Sequence, residues 1–382
     1  MKTTHTIGAG LIAAAIAVAG AAVTTAWQPA NPQADATAAT VGVPAAAPAR
    51  TNTTSRRVKA GHVVTFAAAA GTVITTVTAN GTTLSTRPVA TWRSQPLPPA
   101  TATTFTVTTR STTTGTPSTT RTLSVTTSAA DHIFTPVFNT VTGTVGVGYL
   151  PTVTFPVTVP SQWRASVSTW LTVNTPVAGS WHWTTARQAA WRPGSGFMPA
   201  HTTITVTAHL PATPVTHKKT LYWPDTTATT AAWRYGRSYL ITINAKTHTG
   251  TVTEDGTVIK RFGVSTGKPG YLTRSGIKTI TEFDRVQRMT NAGVTDEEVY
   301  DLQVPYAMRI TDTGEFLHAA PWNSNIGTAN TSHGCTNLSY STAQWMFHTA
   351  RIGDPVITTG TTRGMEPWNG PGALWNITQP RW

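Results

Sequence analysis

The sequence predicts a mainly β protein: two β-sandwiches followed by a β-rich domain with a few helices. Three observations carry this. Threonine and apolar residues alternate through much of residues 51–215, the period-two pattern of half-buried strands. The 26 Pro and 30 Gly break those runs into short segments, as turns between strands do. A motif also recurs: Trp92-Arg93, Pro99-Ala100 and Thr104-Phe105-Thr106-Val107-Thr108 return as Trp191-Arg192, Pro199-Ala200 and Thr203-Ile204-Thr205-Val206-Thr207. The interval, about 100 residues, is the size of one immunoglobulin-like sandwich.

The 382 residues suffice for two or three domains. With 39% hydrophobic residues and 14 Trp, the chain has enough apolar material for real cores, which excludes wholesale disorder. Residues 1–26 carry Lys2, an apolar run over 7–23, then Thr24-Thr25-Ala26. This is the pattern of an export signal or an uncleaved membrane anchor. Residues 27–50 are Ala/Pro-rich and read as a linker. The sandwiches are expected at 51–128 and 130–220. Trp92 and Trp191, at equivalent positions of the repeat, are expected in the cores. Trp181 and Trp183, flanking His182, are candidates for a sugar-binding platform.

Charge divides the chain. The net charge is +13, yet of 15 acidic residues only Asp35, Asp131 and Asp225 precede residue 231, against half of the 28 Lys and Arg. This shift marks a boundary near residues 220–236. A basic, exported first half suits an anionic surface such as cell-wall polymer. Export and the lack of dense Lys/Arg runs argue against nucleic acid as a partner. The membrane enters only through an uncleaved N-terminal segment.

The last domain is expected over 236–360. A strand is expected at 239–243, turns at Gly250 and Asp255-Gly256, a returning strand through Val258 and Ile259, and a strand from Gly314 to His318. A helix is expected at 341–351, capped by Ser341 and ended by Gly353, with Ala343, Met346, Phe347 and Ala350 on one face. The Trp-rich tail, 361–382, is expected to help dock the second sandwich.

Chemistry concentrates at His318-Ala319-Ala320-Pro321-Trp322 and Ser332-His333-Gly334-Cys335-Thr336-Asn337. Cys335 is the only cysteine, so no intramolecular disulfide and no Cys-rich zinc module can form. A thiol attacks as thiolate, and a histidine in reach can take its proton and later protonate a leaving amine. His318 and His333 are the two candidates. Gly334 lets the backbone turn sharply, and successive N–H groups of such a turn can hold a developing oxyanion. His217 and His348 have no partners at metal-ligand spacing, and the chemistry calls for no cofactor and no metal.

The string Ser-His-Gly-Cys-Thr-Asn after His-x-x-Pro-Trp resembles the L,D-transpeptidases that remodel bacterial peptidoglycan. The resemblance is to the actinobacterial kind, with two immunoglobulin-like domains before a YkuD-type catalytic domain, and runs through about 236–382. It implies Cys335 as nucleophile, His318 as general base and acid, and His333, Gly334 and Cys335 as oxyanion N–H donors. It implies substrate contacts from Asn337, Thr313, Gly314 and the flap residue Tyr300, and Trp322 is a further candidate substrate contact. It implies tetrapeptide stems of peptidoglycan as substrate, a 3→3 cross-link with loss of D-Ala as product, and acylation by carbapenems. The residue after the base histidine, often Ser in the family, is Ala319 here, so only a backbone-carbonyl role survives. The expected upstream flap aromatic is replaced near Ala292-Gly293, and residues 285–298 are unusually charged. The alternatives are an L,D-carboxypeptidase with water as acceptor and a non-catalytic cell-wall-binding protein.

Overall fold

The computed structural model describes residues 40–42, 53–113, 117–290, 300–378 and 382. The export segment, residues 1–26, and the flap positions Ala292-Gly293 lie outside the described residues. Within the expected linker, Thr40–Gly42 pairs in parallel with Thr65–Ala67.

Alternation builds the first pair of sheets. In Ala102–Ser111, Phe105, Val107 and Thr109 are buried while their neighbours face outward. This strand pairs antiparallel with Thr119–Thr127 and Thr72–Ala79. A three-stranded sheet of Thr40–Gly42, Thr65–Ala67 and Thr91–Arg93 covers it. The half-buried Trp92 closes that core, its ring 5.9 Å from Phe66 and 6.0 Å from Phe105.

The same logic forms the second pair. Ile204, Val206 and Ala208 of Thr203–Ala208 face inward. Trp191 of Gln188–Pro193 is buried in the same cluster, as its place in the repeat implies. Thr229–Tyr235 pairs with Thr203–Ala208, so these sheets continue past residue 220, where composition alone ends the domain. Trp181 and Trp183 line an open cleft of about 700 Å3, beside Leu171 and Val177. Both turn toward the core, and their indole N–H groups donate to the Leu171 and Arg164 carbonyls at 3.1 and 3.0 Å. His182, on the opposite face of the strand, stacks on Trp382 at 5.0 Å.

The third part has a five-stranded sheet ordered Thr257–Gly263, Thr249–Glu254, Tyr239–Asn244, Pro355–Thr359, Gly276–Thr279. A four-stranded sheet ordered Glu282–Thr290, Asp301–Arg309, Phe316–Ala319, Thr336–Leu338 carries the histidine and cysteine segments. Tyr239, Ile241, Val252, Met308, Leu317, Ala343 and Met346 meet in the core.

Three local expectations are corrected. Gly250 is not a turn residue: it lies inside Thr249–Glu254, where a Cβ would come within 2.4 Å of the Phe262 ring, so packing requires the glycine. The strand expected from Gly314 begins at Phe316, because Gly314 (φ +93°) completes the preceding turn. The helix is Tyr340–Thr349, and its cap is Ser339, whose hydroxyl accepts from Thr342 N–H at 3.2 Å. Ala350 already leaves helical geometry, so Gly353 serves the exit turn instead.

The second sheet pair and the third part are joined by backbone and by the tail. Gly146 and Gly148 N–H donate to the Ile352 and Gly353 carbonyls, each at 2.8 Å. Trp375, in the 3-10 helix Pro371–Asn376, donates to the Gly148 carbonyl at 2.8 Å. The buried Arg192 reaches the Leu374 and Ile377 carbonyls at 2.9 and 2.6 Å and lies over the Trp382 ring.

Asp354 sits in this seam, fully buried. One carboxyl oxygen accepts from Arg351 N–H at 2.7 Å, and Oδ1 has no protein donor. Burial drives its carboxyl from 3.8 up to about 7. A pKa raised by folding gives stability that is full below the unfolded value and lost as pH rises through the folded one. Thermal stability is therefore expected to fall between pH 4 and pH 8 through this group. Asp354→Asn, which cannot ionise, should melt higher than the parent at alkaline pH, with the gap closing toward acid. A gap that does not change with pH would contradict the assignment.

Candidate active site

Strand pairing assembles the site. Phe316–Ala319 and Thr336–Leu338 run parallel, with His318 opposite Asn337 and Leu317 opposite Thr336. Cys335 immediately precedes the second strand. Alternation then puts Phe316, His318, Cys335 and Asn337 on one face. All four line a single cleft of about 650 Å3, together with Tyr300, Thr313, Gly314, Trp322 and His333. Of the nine residues singled out from sequence, eight line this cleft; Gly334 does not.

His318 is almost wholly buried, and its Nδ1 donates to the Ala319 carbonyl at 2.9 Å. That bond places the remaining lone pair on Nε2. Burial lowers the imidazole pKa, the Ala319 bond partly opposing this, so the ring is held neutral. The Ala319 carbonyl thus does the orienting without a hydroxyl.

Cys335 is half-buried, and its thiol donates to the Gly314 carbonyl at 3.7 Å. Burial pushes the thiol up to about 12; Glu315 adds to the rise, while a Phe316 backbone bond, Arg309 and Lys278 oppose it. The resting pair is therefore neutral thiol and neutral imidazole, and the proton must move when an electrophile arrives.

The turn before Cys335 is tightly tied. Gly334 adopts φ +128°, which disfavours any side chain. Its N–H donates to Ser332 Oγ at 3.1 Å, and Ser332 Oγ donates to the Cys335 carbonyl at 2.6 Å. Thr273 Oγ1 donates to the Gly334 carbonyl at 2.7 Å. Gly334 therefore contributes conformation; its N–H is engaged within the turn and is not presented to the cleft. His333 lies between two aromatic rings, 4.8 Å from Tyr271 and 5.0 Å from Tyr300. Tyr300 thus forms a wall of the cleft.

Trp322 is half-exposed and lies nearly parallel to the His318 ring at 6.3 Å. Thr313 is fixed from behind, its N–H donating to Asn369 Oδ1 at 3.1 Å. Asn337 is buried, its backbone paired both ways with Ser265. Sequence reasoning missed Arg309, which lines the cleft, and Tyr271, which packs on His333. Arg309 and Tyr271 come from other elements and left no local signal. Among the described residues, no group of three metal-ligating side chains occurs.

Known families and proteins are similar to this chain in two regions. The model of the YkuD L,D-transpeptidase catalytic domain matches residues 238–358, and that of a bacterial Ig domain matches residues 55–213. L,D-transpeptidase 2 of Mycobacterium tuberculosis is 29% identical over 266 residues, covering 68% of this chain and 64% of that protein. L,D-transpeptidase 1 of the same species is 29% identical over 223 residues, covering 56% of this chain and 80% of that protein. Among solved structures, an L,D-transpeptidase from Mycobacterium smegmatis is 30% identical, covering 59% of this chain and 99% of that one, with TM-score 0.48. LdtMt1 in complex with imipenem is 27% identical over 59% of this chain and 100% of that one, with TM-score 0.49.

The chain therefore carries an L,D-transpeptidase catalytic domain of the YkuD kind behind a bacterial Ig-like region, and its relatives are mycobacterial L,D-transpeptidases. It spans just under two thirds of the length of L,D-transpeptidase 2.

Proposed function

We propose that this chain is a peptidoglycan L,D-transpeptidase that forms 3→3 cross-links through a thioester on Cys335. The observation that carries the reading is the shared face: His318, fixed by Ala319, and Cys335, at the entry of the parallel neighbouring strand, line one cleft.

In the first step Cys335 Sγ attacks the carbonyl of the diamino acid at position three of a tetrapeptide stem. His318 Nε2 takes the thiol proton as the S–C bond forms. The carbonyl oxygen gains charge, which the Cys335 backbone N–H stabilises. The imidazolium returns its proton to the departing D-Ala amine as the C–N bond breaks. In the second step the side-chain amine of another stem attacks the thioester, and its proton passes to His318 and on to the leaving thiolate. The bond energy is conserved in the thioester, so no ATP is required.

Tyr300 and Trp322 flank the cleft as contacts for the stem, with Thr313, Gly314 and Asn337 along its floor. The chain acts outside the cytoplasm, exported by its N-terminal segment. Its basic sandwiches dock it on anionic cell-wall polymer and raise the local concentration of the catalytic domain near its substrate. Carbapenems acylate the same sulfur.

Intact-mass measurement after imipenem treatment tests the nucleophile. The parent is expected to gain one imipenem mass, mapped to the peptide containing Cys335, and Cys335→Ala to gain none. An adduct on the Ala variant, or none on the parent, would overturn the reading.

A further inference from the structure

The two backbone groups that hold the Cys335 sulfur flank one residue. The thiol donates to the Gly314 carbonyl and receives a backbone bond from Phe316. Glu315 lies between them, and its carboxylate points away from the cleft toward Arg274 and Lys278. Its buried carboxylate is gripped from two directions. Oε1 accepts from the Arg274 backbone N–H and from Arg274 Nη1, each at 3.0 Å. Oε2 lies 3.0 Å from the ammonium of Lys278, which has no exposed surface.

This grip continues into the tail. Lys278 also donates to the Arg274 carbonyl and to Thr358 Oγ1. Arg274 Nε pairs with Glu366, whose Oε2 accepts from Asn369 Nδ2 at 3.1 Å. Asn369 in turn holds Thr313 N–H. Residues 313–315 are thus anchored behind by charges from positions 274, 278 and 366.

None of these groups lines the cleft, and the transfer chemistry gives them no proton to carry. Burying such charges is a poor route to stability, since apolar residues of similar volume serve as well or better. What an ion network does supply is fixed geometry.

We infer that Glu315 is a positioning residue for the nucleophile. Its carboxylate, held by Arg274 and Lys278, sets the peptide planes of Gly314 and Phe316 and so the place of the Cys335 sulfur beneath the cleft. The inference rests on Cys335 being the nucleophile. A misplacement of about 1 Å at a reacting atom is enough to slow a reaction roughly 100-fold, so the effect belongs in the rate of acylation rather than in binding.

The test is the Glu315→Gln variant, with imipenem as probe. Acylation rates are followed against imipenem concentration and normalised to the fraction of protein that finally acquires the adduct. The maximal acylation rate is expected to fall about 10-fold or more, while the half-saturating concentration stays within roughly 3-fold. A merely structural role would lower the melting temperature and the active fraction but not the rate per active molecule. A maximal rate within about 2-fold of the parent would overturn the inference. If the Gln variant does not fold, Arg274→Lys keeps the charge and loses the fork. It should show an intermediate slowing, and an unchanged rate there would equally overturn the inference. A parent that imipenem does not modify sinks the Cys335 reading, a failure distinct from parent-like kinetics in the variant.

Discussion

His318→Asn is expected to lower the rate of Cys335 acylation by about 100- to 10,000-fold, the usual range for a lost general acid–base group. The size follows from the resting state. With the thiol pushed up to about 12, almost none is thiolate at neutral pH, so attack depends on a base that acts as the sulfur moves. The imidazole is pre-set for this, its Nδ1 committed to Ala319 and its Nε2 left to accept. Asparagine can keep a bond to the carbonyl yet cannot take the proton. Rates would be read by stopped-flow or mass spectrometry over a pH series. The parent should lose activity as acid protonates His318, and the variant should instead rise with pH as hydroxide supplies the missing base. A variant within a few-fold of the parent would remove His318 from the mechanism.

Trp375→Ala is expected to destabilise the protein by about 3–5 kcal/mol, the range for deleting a large buried aromatic. Trp375 is 9% exposed and packs in the core cluster of the second sheet pair. Its ring lies 4.9 Å from Phe197, and its N–H satisfies the Gly148 carbonyl. The truncation therefore opens a cavity and strands an acceptor at one seam. Asn376 anchors the same tail to the catalytic sheet, exchanging bonds with the Ile277 N–H and carbonyl, each at 2.8 Å. Denaturant unfolding would measure the loss, and a change below about 1 kcal/mol would mean that the tail does not join the two parts.

The fold was readable where one face of a strand is buried. Ala102–Ser111 and Thr203–Ala208 announce themselves by alternation, because a half-buried strand must place apolar residues at every second position. The cysteine and histidine strings were readable because covalent acyl transfer needs those groups and few others. What was not readable depends on pairing across the chain. Thr229–Tyr235 belongs to the second sheet pair by its register with Thr203–Ala208, which composition does not record. Gly250 signals a turn locally, and only the Phe262 ring from the next strand explains it. Trp181 and Trp183 are tied through their indole N–H groups to carbonyls of residues 171 and 164, contacts that composition does not record. The ion network of Arg274, Lys278, Glu315 and Glu366 gathers residues up to 92 positions apart, each of which alone reads as ordinary surface charge.

The most direct test of the central claim is a transfer assay. The protein and Cys335→Ala would each be incubated with a disaccharide-tetrapeptide, and the products read by mass spectrometry. The account predicts a cross-linked dimer lacking one D-Ala with the parent and unchanged substrate with the variant. Tripeptide alone would assign the acceptor role to water and make the protein a carboxypeptidase; dimer formation by Cys335→Ala, or no reaction by either protein, would contradict the account.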